Sequence, residues 1–291
     1  MTRRLAPYVF VGPAMLLLAT FGVFPILVAG LVSLTNMNLG GLARWSNIKW
    51  VGLGNYAKLF RDPDFWQALW NTVFFVGLGV PCVVLLSLGV ALLLNRSQGP
   101  FFRALRAFYF VPAITGIVAI SLVWSYLYNT QFGLLNYLLS LLGVKPVQWL
   151  SDPTLAKFSV GLVAVWRGTG LNIIILLAAL QGIPRDYYEA AALDGANGWQ
   201  RTRFVTLPLL SYALFFVTVT TLIGWLQFFD EPFVLTDGGP LGHTTSVSLF
   251  IYKEGFRGSQ FGYASAGSLV LFVLIAAVTL LQLRLRRRDL E

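Results

Sequence analysis

The sequence predicts an all-α integral membrane protein with six transmembrane helices, and three observations carry that prediction. Of 291 residues, 57% are hydrophobic and only 11% charged, where an ordinary soluble domain carries roughly 25% charged residues. Six apolar runs each reach the about 20 residues that a helix needs to cross a hydrocarbon core, where only a helix or a closed barrel satisfies its own backbone. The basic residues gather in alternate connecting segments, so the net charge of +9 reads as topology and not as a nucleic-acid surface.

The first run, 8–34, carries Pro13 and Pro25 and is too long for the apolar core of a cleaved signal, so it counts as a span. The remaining five are 68–95, 107–128, 158–181, 207–229 and 261–283. With the N-terminus inside, segments 1–7, 96–106, 182–206 and 284–291 hold 12 Lys and Arg in 51 residues. Segments 35–66, 129–157 and 233–262 hold 8 in 91. That asymmetry places both termini in the cytoplasm. The outer segments contain three apolar stretches, Phe65 to Trp70, Phe132 to Leu139 and Val247 to Tyr252. Each reads either as part of an interfacial aromatic belt or as a short helix at the outer surface, available to an external partner. There is no Ser/Gly linker and no repeat of 20 to 50 residues, so residues 1–291 read as a single domain.

Several chemistries drop out. Cys82 lies in an apolar run and His243 in a loop rich in Gly and Thr, so no disulfide, Cys/His metal site or Cys-His nucleophile can be assembled. The 12 acidic residues are scattered, which leaves no clustered acid, base or nucleophile for a membrane enzyme. The five lysines are followed by Trp50, Leu59, Pro146, Phe158 and Glu254. A Walker A loop needs Lys followed by Ser or Thr, so the chain carries none.

The inner segment between spans four and five, 182–208, is longer than a connection requires. Pro184 suits a first helical position, Arg185 to Asp194 is a good helix former, and Gly195 ends it. A second short helix is expected from Trp199 to Thr206, running into Leu207-Pro208 at the start of span five. The hairpin presents a small-residue surface, Ala190, Ala191 and Gly195, flanked by Glu189 and Asp194 as charged handles. Composition alone also permits an ordinary amphipathic loop helix.

Glu189-Ala190-Ala191, three residues, Gly195, nine residues, Val205, one residue and Leu207-Pro208 resemble the EAA loop of bacterial ABC importer permeases. The variation is Val205, where the family usually has Ile. Six identities at fixed offsets arise by chance about once in a thousand chains. From Pro7 to about Arg287 the chain is further similar to the shorter permease of carbohydrate importers of the maltose and glycerol-3-phosphate type. The similarity is carried by Val51 to Tyr56, Phe65 to Thr72, Phe132 to Asn136, Asp152-Pro153, Trp166-Arg167-Gly168 and Leu235 to Pro240.

This resemblance implies a MetI-like permease fold in the bacterial inner membrane and a set of partners. These are a second homologous permease, two ATP-binding-cassette ATPase subunits that hold ATP and Mg, and an extracytoplasmic solute-binding protein. It implies no cofactor on this chain. Glu189, Ala190, Ala191 and Gly195 match the coupling motif, with Asp194 beside it. Trp166, Arg167, Gly168 and Leu171 match a stretch that lines the solute path, and Gln227 and Asp230, at the outer end of span five, are expected along the same path. Where the family has sugar-contacting side chains along this helix, the chain offers Ala164 and Leu171. Arg167 is the charge placed near mid-membrane, which marks it as functional by default. Its structural alternatives are pairing with Asp230 or Glu231, or snorkelling outward. The implied cargo is a di- or oligosaccharide; a sugar phosphate, using Arg167 as counter-charge, is the alternative. A secondary transporter would show repeated halves and need no helical socket loop.

Overall fold

The computed structural model describes residues 2–97 and 99–288; the two chain ends beyond them, which the topology reading assigns to the cytoplasm, and Gln98 lie outside the described residues. Helix α1 (Thr2–Leu18) passes through a π-helical turn, Ala19–Val23, into α2 (Phe24–Ser33). Pro25 has no N–H to give the preceding turn, and the widened turn lies directly before it. Two short helices follow, α3 (Leu39–Ala43) and α4 (Gly54–Leu59).

Helix α5 (Pro63–Leu94) begins five residues ahead of the expected boundary. Asp62 accepts from the Asp64 amide ahead of the first turn (2.9 Å), and Pro63 suits a first helical position. Phe65 to Trp70 therefore belongs to the spanning helix and is not a separate surface helix. The apolar run 107–128 is not one helix either. It divides into α6 (Pro100–Ile114) and α7 (Ile117–Leu127), bent by 101°. Thr115 and Gly116 are extended at the break, three residues after Pro112.

The chain continues through α8 (Leu134–Leu141) to α9 (Pro153–Gln181). Asp152 caps α9 from the amides of Thr154 and Leu155 (2.9 and 2.8 Å), an Asp-Pro start that again lengthens a span at its N-terminal end. Next come α10 (Arg185–Leu193), α11 (Gly198–Arg201), a π turn Thr202–Thr206, α12 (Leu207–Leu209) and α13 (Ser211–Leu226). The expected fifth span, 207–229, thus stops at Leu226 and joins the preceding helix at a 67° bend. Last are α14 (Val247–Tyr252) and α15 (Phe261–Arg288). Val247, Leu249 and Phe250 are buried, so α14 is not an exposed outer face.

Among the described residues four helical stretches are long and apolar enough to cross a membrane (Phe10–Ser33, α5, α9 and α15), and up to six when each bent pair counts as one span. The chain divides into two compact units. In the first, residues 1–66 and 250–277, Asn55 donates to the carbonyls of Ser33 and Thr35 (2.7 and 2.8 Å). There the amide of Gly262 donates to Met37 (2.9 Å), and Tyr263 donates to Asp62 (2.6 Å). These bonds fasten the end of the first span to the start of the last.

The second unit, residues 67–249 and 278–291, is built around α9. A Cβ on Gly170 would meet the Tyr109 carbonyl of α6, so glycine permits close approach of the two backbones. Gly79 of α5 likewise lies under the ring of Trp225. Below these contacts Ala91, Leu94, Ile173, Leu176, Leu177, Leu180, Leu210 and Val217 form one buried cluster. That cluster holds the ends of α9 and α13, the two helices between which the 182–208 segment is strung.

Candidate functional site

The hairpin is assembled from local rules. Pro184 is the residue before α10 and not its first helical residue, one position from expectation. At the other end the amide of Gly195 bonds to the Ala192 carbonyl (3.1 Å) and that of Ala196 to the Ala191 carbonyl (2.9 Å). This is the paired Schellman pattern, which demands a left-handed residue after the C-cap. Gly195 supplies it at φ +80°. Asp194 is the C-cap itself. A Cβ on Gly195 would meet nothing within 4 Å, so the space beyond it is open.

The second helix opens one residue earlier than expected, at Gly198, through a reciprocal capping box. The Gln200 amide donates to Asn197 Oδ1 (3.0 Å) and the Asn197 amide to Gln200 Oε1 (2.8 Å). Tyr188 and Thr206 hydroxyls lie 3.1 Å apart and tie the two helices together. Thr206 is buried and Leu210 is 1% exposed within the core cluster. The hairpin is therefore anchored at its base and bare at its tip. Glu189, Ala190, Asp194 and Gly195 are exposed and Ala191 half-buried, and Leu193 is 91% exposed. Glu189 has no hydrogen bond or ion pair among the described residues. A free carboxylate, small side chains and a bare leucine on a braced helix form a face suited to another protein.

A second locus lies on α9. Arg167 Nε donates to Glu231 Oε1 at 2.7 Å, and its Nη2 lies 3.5 Å from Asp230 Oδ2. The Glu231 side chain is 2% exposed, against 30% for Arg167 and 48% for Asp230. With two carboxylates on one guanidinium, the cluster's formal charge is negative. A cavity of about 210 Å³ adjoins it, lined by Ala164, Arg167, Gly168, Asn172, Thr221 and Glu231 among others. Asn172 Nδ2 donates to Thr221 Oγ1 (3.2 Å), joining α9 to α13 across the cavity wall.

Of the residues expected along the path, Arg167 and Gly168 line this cavity and Asp230 joins through the ion pair. Trp166 faces elsewhere. It stands edge-on to Trp124 (5.7 Å) and borders two apolar grooves of about 550 and 330 Å³. Leu171 is 55% exposed, and Gln227, the C-cap of α13, is also exposed; neither lines the cavity. Asn172 and Thr221 are not among the sequence candidates, and Glu231 enters there only as an alternative partner of Arg167. Asn172 and Thr221 are ordinary polar residues in apolar runs, and such residues inside spans are the signal that finds them.

A family model described as the binding-protein-dependent transport system inner membrane component matches residues 51–288. The chain is 38% identical over 280 residues to the lactose transport system permease protein LacF of Rhizobium radiobacter, covering 94% of this chain and 92% of that one. It is 39% identical over 238 residues to the trehalose/maltose transport system permease protein MalF of Thermococcus litoralis, covering 81% and 80%. Its fold is similar to a subunit of a bacterial alginate ABC transporter solved with an alginate pentasaccharide-bound periplasmic protein. That likeness has a TM-score of 0.83 at 23% identity and covers 99% and 96% of the two chains.

Proposed function

The chain belongs to the family of binding-protein-dependent transport system inner membrane components, and from that premise we propose that it is one half of a sugar pore driven by partner ATPases. In this reading it pairs with a second homologous permease, and an extracytoplasmic binding protein delivers a neutral di- or oligosaccharide. The relatives named for lactose, trehalose/maltose and arabinooligosaccharides support the sugar class. The pairing of Arg167 with Glu231 and Asp230 supports a neutral solute over a sugar phosphate, because the cation is already matched.

The braced, bare-tipped hairpin carries the reading. Each permease would place Glu189, Ala190, Ala191, Asp194 and Gly195 against one ATPase subunit on the cytoplasmic side, with both chain termini on that side. ATP and Mg²⁺ belong to the ATPase, since this chain has no Lys-Ser or Lys-Thr pair for a Walker A loop. Movement of the seated α10 would pass through the Tyr188–Thr206 contact and the helical stretch 198–209, across the 67° bend at Leu210, into α13. The coupling element thereby reaches Thr221 and the cavity wall without a separate relay.

The test is ATP hydrolysis by the reconstituted complex. Stimulation by solute-loaded binding protein, with uptake of the sugar, supports the reading. Sugar uptake driven by an ion gradient without any ATPase would overturn it.

A further inference from the structure

Residues 34–61 contain no Asp or Glu but carry Arg44, Lys49, Lys58 and Arg61, half of the basic residues in the segments assigned to the outer side. Basic residues are depleted from short outer segments of membrane proteins, so this concentration calls for a physical reason.

The part nearest the first span is cross-braced by hydrogen bonds. Asn38 caps α3 through the Gly41 amide (3.0 Å), Asn36 Oδ1 accepts from the Lys49 amide (2.6 Å), and Thr35 pairs with Trp50. The amides of Val51 and Gly52 donate to the Leu34 carbonyl (2.8 and 3.1 Å), which closes the segment onto the residue that follows α2, at the end of an apolar span. On this frame Leu39, Leu42, Trp45 and Trp50 are exposed, Trp45 by 79% and Trp50 by 65%. Arg44 and Lys49 are exposed too, and neither has an acidic partner among the described residues. Trp66 and Trp149 place their indole N–H groups on Phe60 and Asn136. Those of Trp45 and Trp50 have no acceptor among the described residues.

The exposed charged and indole groups here are thus all donors, two cations and two indoles, beside the neutral side chains of Asn36, Asn38, Ser46 and Asn47, mixed with apolar surface and fixed at the end of a spanning helix. The complementary ligand offers acceptors and negative charge at the same depth as hydrocarbon. We infer that residues 36–50 form a docking site for an anionic phospholipid, with Arg44 and Lys49 on its phosphate and Trp45, Trp50, Leu39 and Leu42 at the level of the ester groups. This goes beyond the transport reading and rests only on the topology that places residues 34–61 on the outer side. Trp supplies an apolar body with a polar edge, and a basic residue near an anionic surface supplies a preference of roughly fivefold each.

The test uses the full-length permease in its complex, with Cys82→Ala and Leu42→Cys carrying an environment-sensitive fluorophore. Vesicles of phosphatidylcholine contain the same mole fraction of either brominated phosphatidylglycerol or brominated phosphatidylcholine. Quenching by both, with phosphatidylglycerol preferred roughly fivefold for each cation and the preference lost in R44Q/K49Q, is the result expected. Equal quenching by the two lipids would reduce the element to an unselective aromatic belt and overturn the proposal. Absence of quenching would place the face in water, for a protein partner, and overturn it as well. The Arg44 and Lys49 side chains make no hydrogen bond or ion pair among the described residues, so an unchanged melting temperature of R44Q/K49Q separates lost lipid selectivity from misfolding.

Discussion

Gly195 has a structural duty and, in the proposed reading, a second one at the partner surface, and substitutions can divide them. Its φ of +80° disfavours a branched side chain by roughly 1–2 kcal/mol, while the open space beyond it offers no clash within the chain. Gly195→Asn, which tolerates the left-handed region, should preserve amide-exchange protection over 185–196, whereas Gly195→Val should lose it. If a partner approaches that surface closely, both variants should lower stimulated ATP hydrolysis; if only the backbone matters, Asn should behave as wild type. Glu189→Ala removes an unpaired carboxylate, so folding should be unaffected. Transport should fall roughly tenfold or more if the residue is an interface anchor. Arg167 behaves differently because its partner is buried. Arg167→Ala strands Glu231, and should cost about 2 kcal/mol, below the full penalty of a buried pair because the guanidinium is 30% exposed. Thermal unfolding of Arg167→Ala, Glu231→Ala and the double variant checks this. A double variant no less stable than the better single one establishes the coupling.

At the scale of elements, the spans were legible wherever lipid alone dictates the sequence. The cores of α5, α9 and α15 fall inside the expected runs, because a helix in hydrocarbon must be apolar along its length. Hydropathy does not register direction, so the 101° break between α6 and α7 and the 67° bend before α13 were invisible to it. Pro112 and Pro208 mark both neighbourhoods but do not specify an angle. The early starts of α5 and α9 were written in Asp62-Pro63 and Asp152-Pro153, as was the start of α11 in Asn197 followed three residues later by Gln200. Asn197→Ala should cost about 1 kcal/mol of local stability and raise amide exchange over 198–206 without altering the melting temperature of the bundle. Gly170→Ala should act on the bundle instead. Its methyl meets the Tyr109 carbonyl, a backbone atom with no rotamer to yield, and overpacking of this kind costs roughly 1–3 kcal/mol.

Taken whole, the molecule keeps its two candidate functional features on one pair of helices. The exposed hairpin was readable from sequence because its motif is contiguous. The ion cluster was readable only as a set of alternatives, since Arg167 and Glu231 are 64 positions apart and nothing local says which carboxylate wins. What connects them is α13, which leaves the hairpin through Leu210 and lines the cavity at Thr221 and Gly224. The central claim is that a partner ATPase grips the hairpin. It is tested most directly by Glu189→Cys in a Cys82→Ala background, crosslinked in the assembled transporter in the absence and presence of ATP. The account predicts a crosslink to the nucleotide-binding subunit that persists in both states and is abolished when that subunit is left out. Labelling of the introduced thiol by a membrane-impermeant reagent added from outside, with no crosslink to any ATPase, would contradict it.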